Sequence, residues 1–177
     1  MKHYREKTAV ILAALALAVL PGCGSGKTEN LDQGMALVEQ LEYEEALKSF
    51  DAAVINGEDS QLAYRGMGLA YMGLSQYDSA VSSLQRALSY SDERPDQMDY
   101  DINYYLATAY YKQGNLDGAK GVYESIIALR PREKNAYYLK GVIELAQGDT
   151  EAASADFDTA VSIDPQDYDL RIDIFCS

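Results

Sequence analysis

The stretch GLAYMGLSQYDSAVSSLQRA, residues 68–87, sets Gly68 twelve residues ahead of Ala80, with Leu84 four further on and Ala87 three beyond that. The arrangement recurs three more times. Gly34, Ala107 and Gly141 correspond to Gly68; Ala46, Ala119 and Ala153 to Ala80; Phe50, Tyr123 and Phe157 to Leu84; Ala53, Ile126 and Ala160 to Ala87. Pro131 and Pro165 close the third and fourth copies, with Glu58 and Asp92 in the equivalent places of the first two. The copies span 27–60, 61–94, 100–133 and 134–167, each of 34 residues, and the five-residue insert PDQMD separates the second from the third.

A fixed period of this length marks a stack of supersecondary units. Each unit reads as two antiparallel helices. Gly68 and Ala80 are small so that two backbones can approach, and a large residue such as Phe50 or Phe157 plugs the space towards the next unit. QGN at 113–115 and QGD at 147–149 read as C-cap glycines followed by N-caps. No unit buries its apolar face alone, so stacked neighbours must build the core.

The pattern resembles the tetratricopeptide repeat over essentially the whole chain after its N-terminal segment. The resemblance implies an all-α, right-handed α-solenoid of four helix-turn-helix hairpins, spanning 30–177 and including a short, incomplete C-terminal helix. That last helix would come from YDLRIDIFCS at 168–177, where Ile172, Ile174 and Phe175 are apolar. Some positions depart from the pattern. Ile126 replaces alanine, and Glu144 stands where Leu37, Tyr71 and Tyr110 face their partner helix. Gly118 and Gly121 weaken their helix by roughly 1 kcal/mol each relative to alanine.

The N-terminus carries a different signal. LPGCGSGKT, residues 20–28, ends like a phosphate-binding loop, but the required glycine five residues before Gly26 is Pro21, which has no amide hydrogen to offer. The apolar run before it is alanine- and leucine-rich rather than strand-like, so no nucleotide is expected. Read from its other end the segment is coherent. Lys2, Arg5 and Lys7 precede an apolar run of 12 residues, Ala9 to Leu20. At helical rise that run spans roughly 18 Å, short of a bilayer core, and suits an export signal. Leu20-Pro21-Gly22-Cys23 resembles a bacterial lipobox. Residues 1–22 would be the signal peptide, Cys23 the lipidated thiol, and 23–29 a short linker. Two or more acyl chains on one residue give stable anchoring without a membrane-spanning helix.

Composition narrows the function. There are 15 basic and 28 acidic residues, a net charge of −13, which disfavours a nucleic-acid phosphate backbone as partner. Removal of 1–22 would leave 12 basic and 27 acidic residues and take away His3, the only histidine and with it the commonest general base. Cys23 and Cys176 offer neither metal-ligand spacing nor a redox pair. The acidic stretch 91–101 lacks the oxygen spacing and turn glycine of a calcium loop. It reads as a solvated inter-repeat loop with Asp99 or Asp101 capping the next helix. No catalytic residue, metal or cofactor is expected.

One residue on from the packing face, each first helix carries a second stripe at i, i+4 and i+7. Its members are Leu31, Met35 and Val38; Arg65, Leu69 and Met72; Tyr104, Thr108 and Tyr111; and Tyr138, Val142 and Leu145. The resemblance places this stripe on the concave groove. Methionine repacks and tyrosine gives rigid amphipathic area, both suited to peptide contacts. Arg65 is the only basic member, with Lys112 adjacent, so a cationic clamp for a terminal carboxylate is not expected. The sequence therefore points to a non-catalytic, membrane-anchored adaptor binding a protein or peptide on the extracytoplasmic face of the bacterial cell membrane, or on the outer membrane where one exists. The alternative is a substrate-recruiting domain of an envelope enzyme whose catalytic part lies outside this chain.

Overall fold

A computed structural model describes residues 28–92 and 94–167. The signal-like segment 1–22, Cys23 with its expected lipidation, and the tail 168–177 with its expected short helix and Cys176 lie outside the described residues. Among the described residues there are eight helices and no strand: α1 (Glu29–Glu39), α2 (Tyr43–Ile55), α3 (Ser60–Gly73), α4 (Tyr77–Leu88), α5 (Gln97–Gln113), α6 (Leu116–Leu129), α7 (Lys134–Gln147) and α8 (Thr150–Ile163). Each odd-numbered helix packs on the even one that follows, and each even one on the next odd one. The first helices also touch along the array, α1 against α3 and α3 against α5. The architecture is an α-solenoid of four hairpins.

The hairpin turns share one backbone solution. Leu41, Ser75, Gly114 and Gly148 occupy the same repeat position, and all four have positive φ, at 63°, 58°, 85° and 85°. The next residue then donates its N–H back to the carbonyl of Leu37, Tyr71, Tyr110 or Glu144, each at 2.9 Å. These are helix C-terminal carbonyls that would otherwise lack a partner. Asn115 and Asp149 start the following helices by accepting from Gly118 N (2.9 Å) and Ala152 N (3.0 Å). Gly118 has a local reason to be glycine, because a Cβ there would stand 2.8 Å from Asn115 Nδ2 in the cap.

The core follows the repeated positions. Ala46, Ala80, Ala119 and Ala153 are buried, as are Ala53, Ala87, Ile126 and Ala160. The small first-helix residue serves a different neighbour from the one expected. It makes room chiefly for the large side chain of its own hairpin rather than for the opposing backbone. A Cβ at Gly34 would meet Phe50 Cε1 at 2.5 Å, one at Gly68 would meet Leu84 at 2.6 Å, and one at Gly141 would meet Phe157 at 2.7 Å. Phe50 is clamped from the far side too, where Gly66 of the second repeat lies against its ring. Phe50 and Leu84 are completely buried and Tyr123 nearly so, whereas Phe157 of the last described repeat is only half-buried.

The insert also differs from expectation. Residues 97–99 are not loop but the first turn of α5, so the helix begins before both acids expected to cap it. Its N-cap is Asp96, which accepts from Asp99 N at 3.1 Å, while Asp99 accepts from Asp96 N at 2.9 Å, a reciprocal capping box. Asp101 accepts only from Gln97 Nε2, at 3.1 Å. Asp99 is buried and also accepts from Ser91 Oγ and, at 2.7 Å, from Gln61 Nε2, tying the second repeat to the third.

Candidate peptide-binding groove

The stripe residues occupy two depths, which helical spacing alone does not distinguish. The first member of each triplet is floor. Leu31 is buried within the core around Phe50, a correction to its expected place on the open groove. Tyr104 rests on the plug Tyr123, with ring centroids 6.0 Å apart, and Tyr138 rests on the plug Phe157 at 5.8 Å. These aromatics lean into their own hairpins because the plug behind them offers an apolar surface to cover. Arg65 lays its guanidinium over the ring of Tyr105, 5.3 Å from the centroid, and joins α3 to α5. Its Nε is buried and has no hydrogen-bond partner.

The middle members Met35, Leu69, Thr108 and Val142 are half-buried. Met35 packs against the first core cluster, and Thr108 Oγ1 donates to the Tyr104 carbonyl at 2.9 Å. Among the last members, Val38 and Met72 are half-buried against the cores of their repeats. Tyr111 and Leu145 differ: each is 41% exposed, on the third and fourth first helices. The groove is thus a packed floor in every repeat with apolar side chains presented from its α5–α7 half.

Tyr104 and its plug Tyr123 carry no ionised phenol. Burial, then the Glu133 carboxylate, push the Tyr104 hydroxyl well above its ordinary range. Burial pushes Tyr123 up to about 12. Both stay neutral at physiological pH. Among the described residues no group of three or more His, Cys, Asp or Glu side chains is placed to hold a metal ion. No described helix is long and apolar enough to cross a membrane.

Several supporting contacts were not anticipated from the sequence. Glu58, at the position that holds proline in later repeats, is buried and caps α1. It accepts from Leu31 N at 3.0 Å, Asn30 N at 3.2 Å and Asn30 Nδ2 at 2.5 Å. Burial alone would raise its pKa, but these donors outweigh it and hold the carboxyl below its ordinary value. Arg86 lies over Tyr90 and Tyr64, themselves stacked at 5.8 Å. Arg130 lies 3.3 Å from the centroid of Tyr100. Only the repeat register, with an acid at a proline position, hinted at the first; apart from the i, i+4 pair Arg86–Tyr90, the cation–ring contacts span 22 to 40 residues and leave no local signature.

A stack of helical hairpins with a partly apolar first-helix face defines a helical-repeat protein. The chain belongs to the tetratricopeptide repeat family: its profile matches over residues 31–97, 65–119 and 104–168. Repeats of this family serve as protein–protein interaction scaffolds. The TPR repeat-containing protein MJ1428 of Methanocaldococcus jannaschii is 23% identical over 133 residues, covering 73% of this chain. The chain spans only 22% of that relative's length. Among solved structures, MamA superposes with a TM-score of 0.67 at 24% identity, covering 77% of each chain. YrrB, described as a TPR protein with an unusual peptide-binding site, gives 0.69 at 23% identity, covering 86% of this chain and 75% of its own. At these identities the likeness speaks to fold.

Proposed function

We propose that this chain is a non-catalytic, lipid-anchored adaptor that holds an apolar segment of another protein against its first-helix groove, outside the bacterial cytoplasmic membrane. The observation that carries the binding role is the exposure of Tyr111 and Leu145 on consecutive first helices above a packed floor. Exposed apolar side chains at the same position of consecutive repeats offer a surface that a partner covers. The occupant is an extended or helical segment whose apolar residues meet Tyr111, Val142 and Leu145 and whose flanks are basic. The acidic balance of the chain, −13 overall, favours such flanks and raises the rate of encounter with them.

The anchoring role draws on the sequence ahead of Thr28: a basic opening, a short apolar run and a cysteine behind a small residue. With α1 starting at Glu29, the linker from Cys23 is so short that, fully extended, it holds the array within roughly 20 Å of the bilayer. Two substitutions separate the parts of the proposal. Cys23→Ser is expected to move the protein from the membrane to the soluble fraction. Tyr111→Ala with Leu145→Ala is expected to leave it folded and membrane-bound but without its partner. A Cys23→Ser protein that remains in the membrane would overturn the anchor, and a folded double variant that still binds would overturn the groove.

A further inference from the structure

The fourth hairpin contains a largely buried charged trio where the second and third hairpins are apolar or hydroxyl-lined. Lys140 stands at the repeat position of Gln33, Met67 and Leu106, Glu144 at that of Leu37, Tyr71 and Tyr110, and Asp156 at that of Ser49, Ser83 and Val122. Lys140 Nζ lies 2.8 Å from Glu144 Oε1 and also pairs with Asp156. The side chains are only 16%, 5% and 13% exposed. Two carboxylates therefore share one ammonium inside the helix pair, and the second oxygen of Glu144 is buried without a hydrogen-bond partner. An ionised carboxylate placed this way keeps a desolvation cost that one cation, divided between two anions, does not offset.

We propose that Glu144 is a proton-operated latch: it takes up a proton on mild acidification, and this tightens α7 against α8 and firms the α7 wall of the groove. Protonation removes the uncompensated buried charge, gives Glu144 an O–H that Asp156 accepts, and leaves one carboxylate, Asp156, paired with one ammonium, Lys140. The surroundings add no competing cation. The charges acting on Glu144 come from Lys140 on its own helix and Asp156 on α8. Tyr123, in the α6 cluster that packs against α7, is neutral. Burial, followed by Asp156, raises the Glu144 carboxyl above its ordinary 4.5 despite Lys140. A carboxyl raised by folding contributes its stability below its unfolded pKa and loses it as pH climbs through the folded value. The latch therefore engages as pH falls through the raised folded value and is fully engaged below 4.5. This is opposite in sign to Glu58 and Asp164, whose carboxyls are held below their ordinary values.

The test pairs Glu144→Gln with a direct titration. Glutamine is a permanent mimic of the protonated acid, so E144Q should melt above the parent at pH 7.5, with the gap narrowing as pH falls and closing only below the ordinary carboxyl value of 4.5. Amide exchange in α7 and α8, corrected for its intrinsic pH dependence, should slow on acidification in the parent and not in E144Q. Carbon-13 NMR of the Glu144 carboxyl in the parent should show a midpoint above 4.5. A gap that does not change with pH, an E144Q protein less stable than the parent at pH 7.5, or a carboxyl titrating at or below 4.5 overturns the proposal. The NMR midpoint decides alone if E144Q does not fold.

Discussion

Replacing Gly66 by alanine places a methyl group against the ring of Phe50, in a pocket with no slack. The ring is fully buried, and Gly34 blocks its retreat, since a Cβ there would already meet Cε1 at 2.5 Å. The ring must push on one helix or the other, and overpacking of this kind costs about 1–3 kcal/mol. At roughly 4 °C per kcal/mol for a domain of this size, the melting temperature of Gly66→Ala should fall by roughly 4–12 °C. Phe50→Ala removes the plug instead, at about 3–5 kcal/mol. The two changes share one space, because the new Cβ enters the cavity left by the ring. Their combination should therefore cost less than the sum, with a coupling of about 0.5–3 kcal/mol. Urea denaturation followed by circular dichroism at 222 nm supplies all four corners of the cycle. A neutral Gly66→Ala, or strict additivity, would refute the claim that a ring wedged between two glycines joins the first and second repeats.

Other consequences follow from single sites. Leu41 holds φ at 63° at the turn where two later repeats have glycine, and it is 69% exposed, so Leu41→Gly loses little packing. It should raise stability by about 0.5–1 kcal/mol in thermal melts. Gly114→Ala, at φ 85°, should lower stability by about 1 kcal/mol for the same reason in reverse. Glu58→Ala should release the first turn of α1, seen as faster amide exchange at Asn30 and Leu31 with α5–α8 unchanged. Because the Glu58 carboxyl is held low by its donors, the contribution is present at neutral pH and fades as pH drops below the ordinary carboxylate range.

The spacing of Gly34, Gly68, Ala107 and Gly141 against the alanines and plugs was enough to place every hairpin, because each position answers to a neighbour at a constant offset. Gly114 and Gly148 were legible as helix ends since glycine tolerates positive φ. Leu41 and Ser75 take the same conformation without that chemical signature, and only the repeat register relates them. The capping of α5 escaped because Asp96, Asp99 and Asp101 all suit a cap, and the choice depends on where the helix starts. Groove depth was not legible at all: Leu31, Tyr104 and Tyr138 share their helical spacing with Tyr111 and Leu145, but the plugs that draw them inward lie on the next helix. Glu144 stood out as a departure, yet its partner Asp156 lies twelve residues on and across a turn. A one-dimensional pattern does not pair them.

The central claim, that a partner occupies the first-helix face, meets its most direct test in site-specific photo-crosslinking in intact cells. A photoreactive residue replaces Tyr111 in one strain and Lys48 in another; the Lys48 side chain is 74% exposed and lies on a second helix. The account predicts one discrete adduct from position 111, lost when Leu145 is also changed to alanine, and none from position 48. An adduct from position 48 with none from position 111 would contradict it.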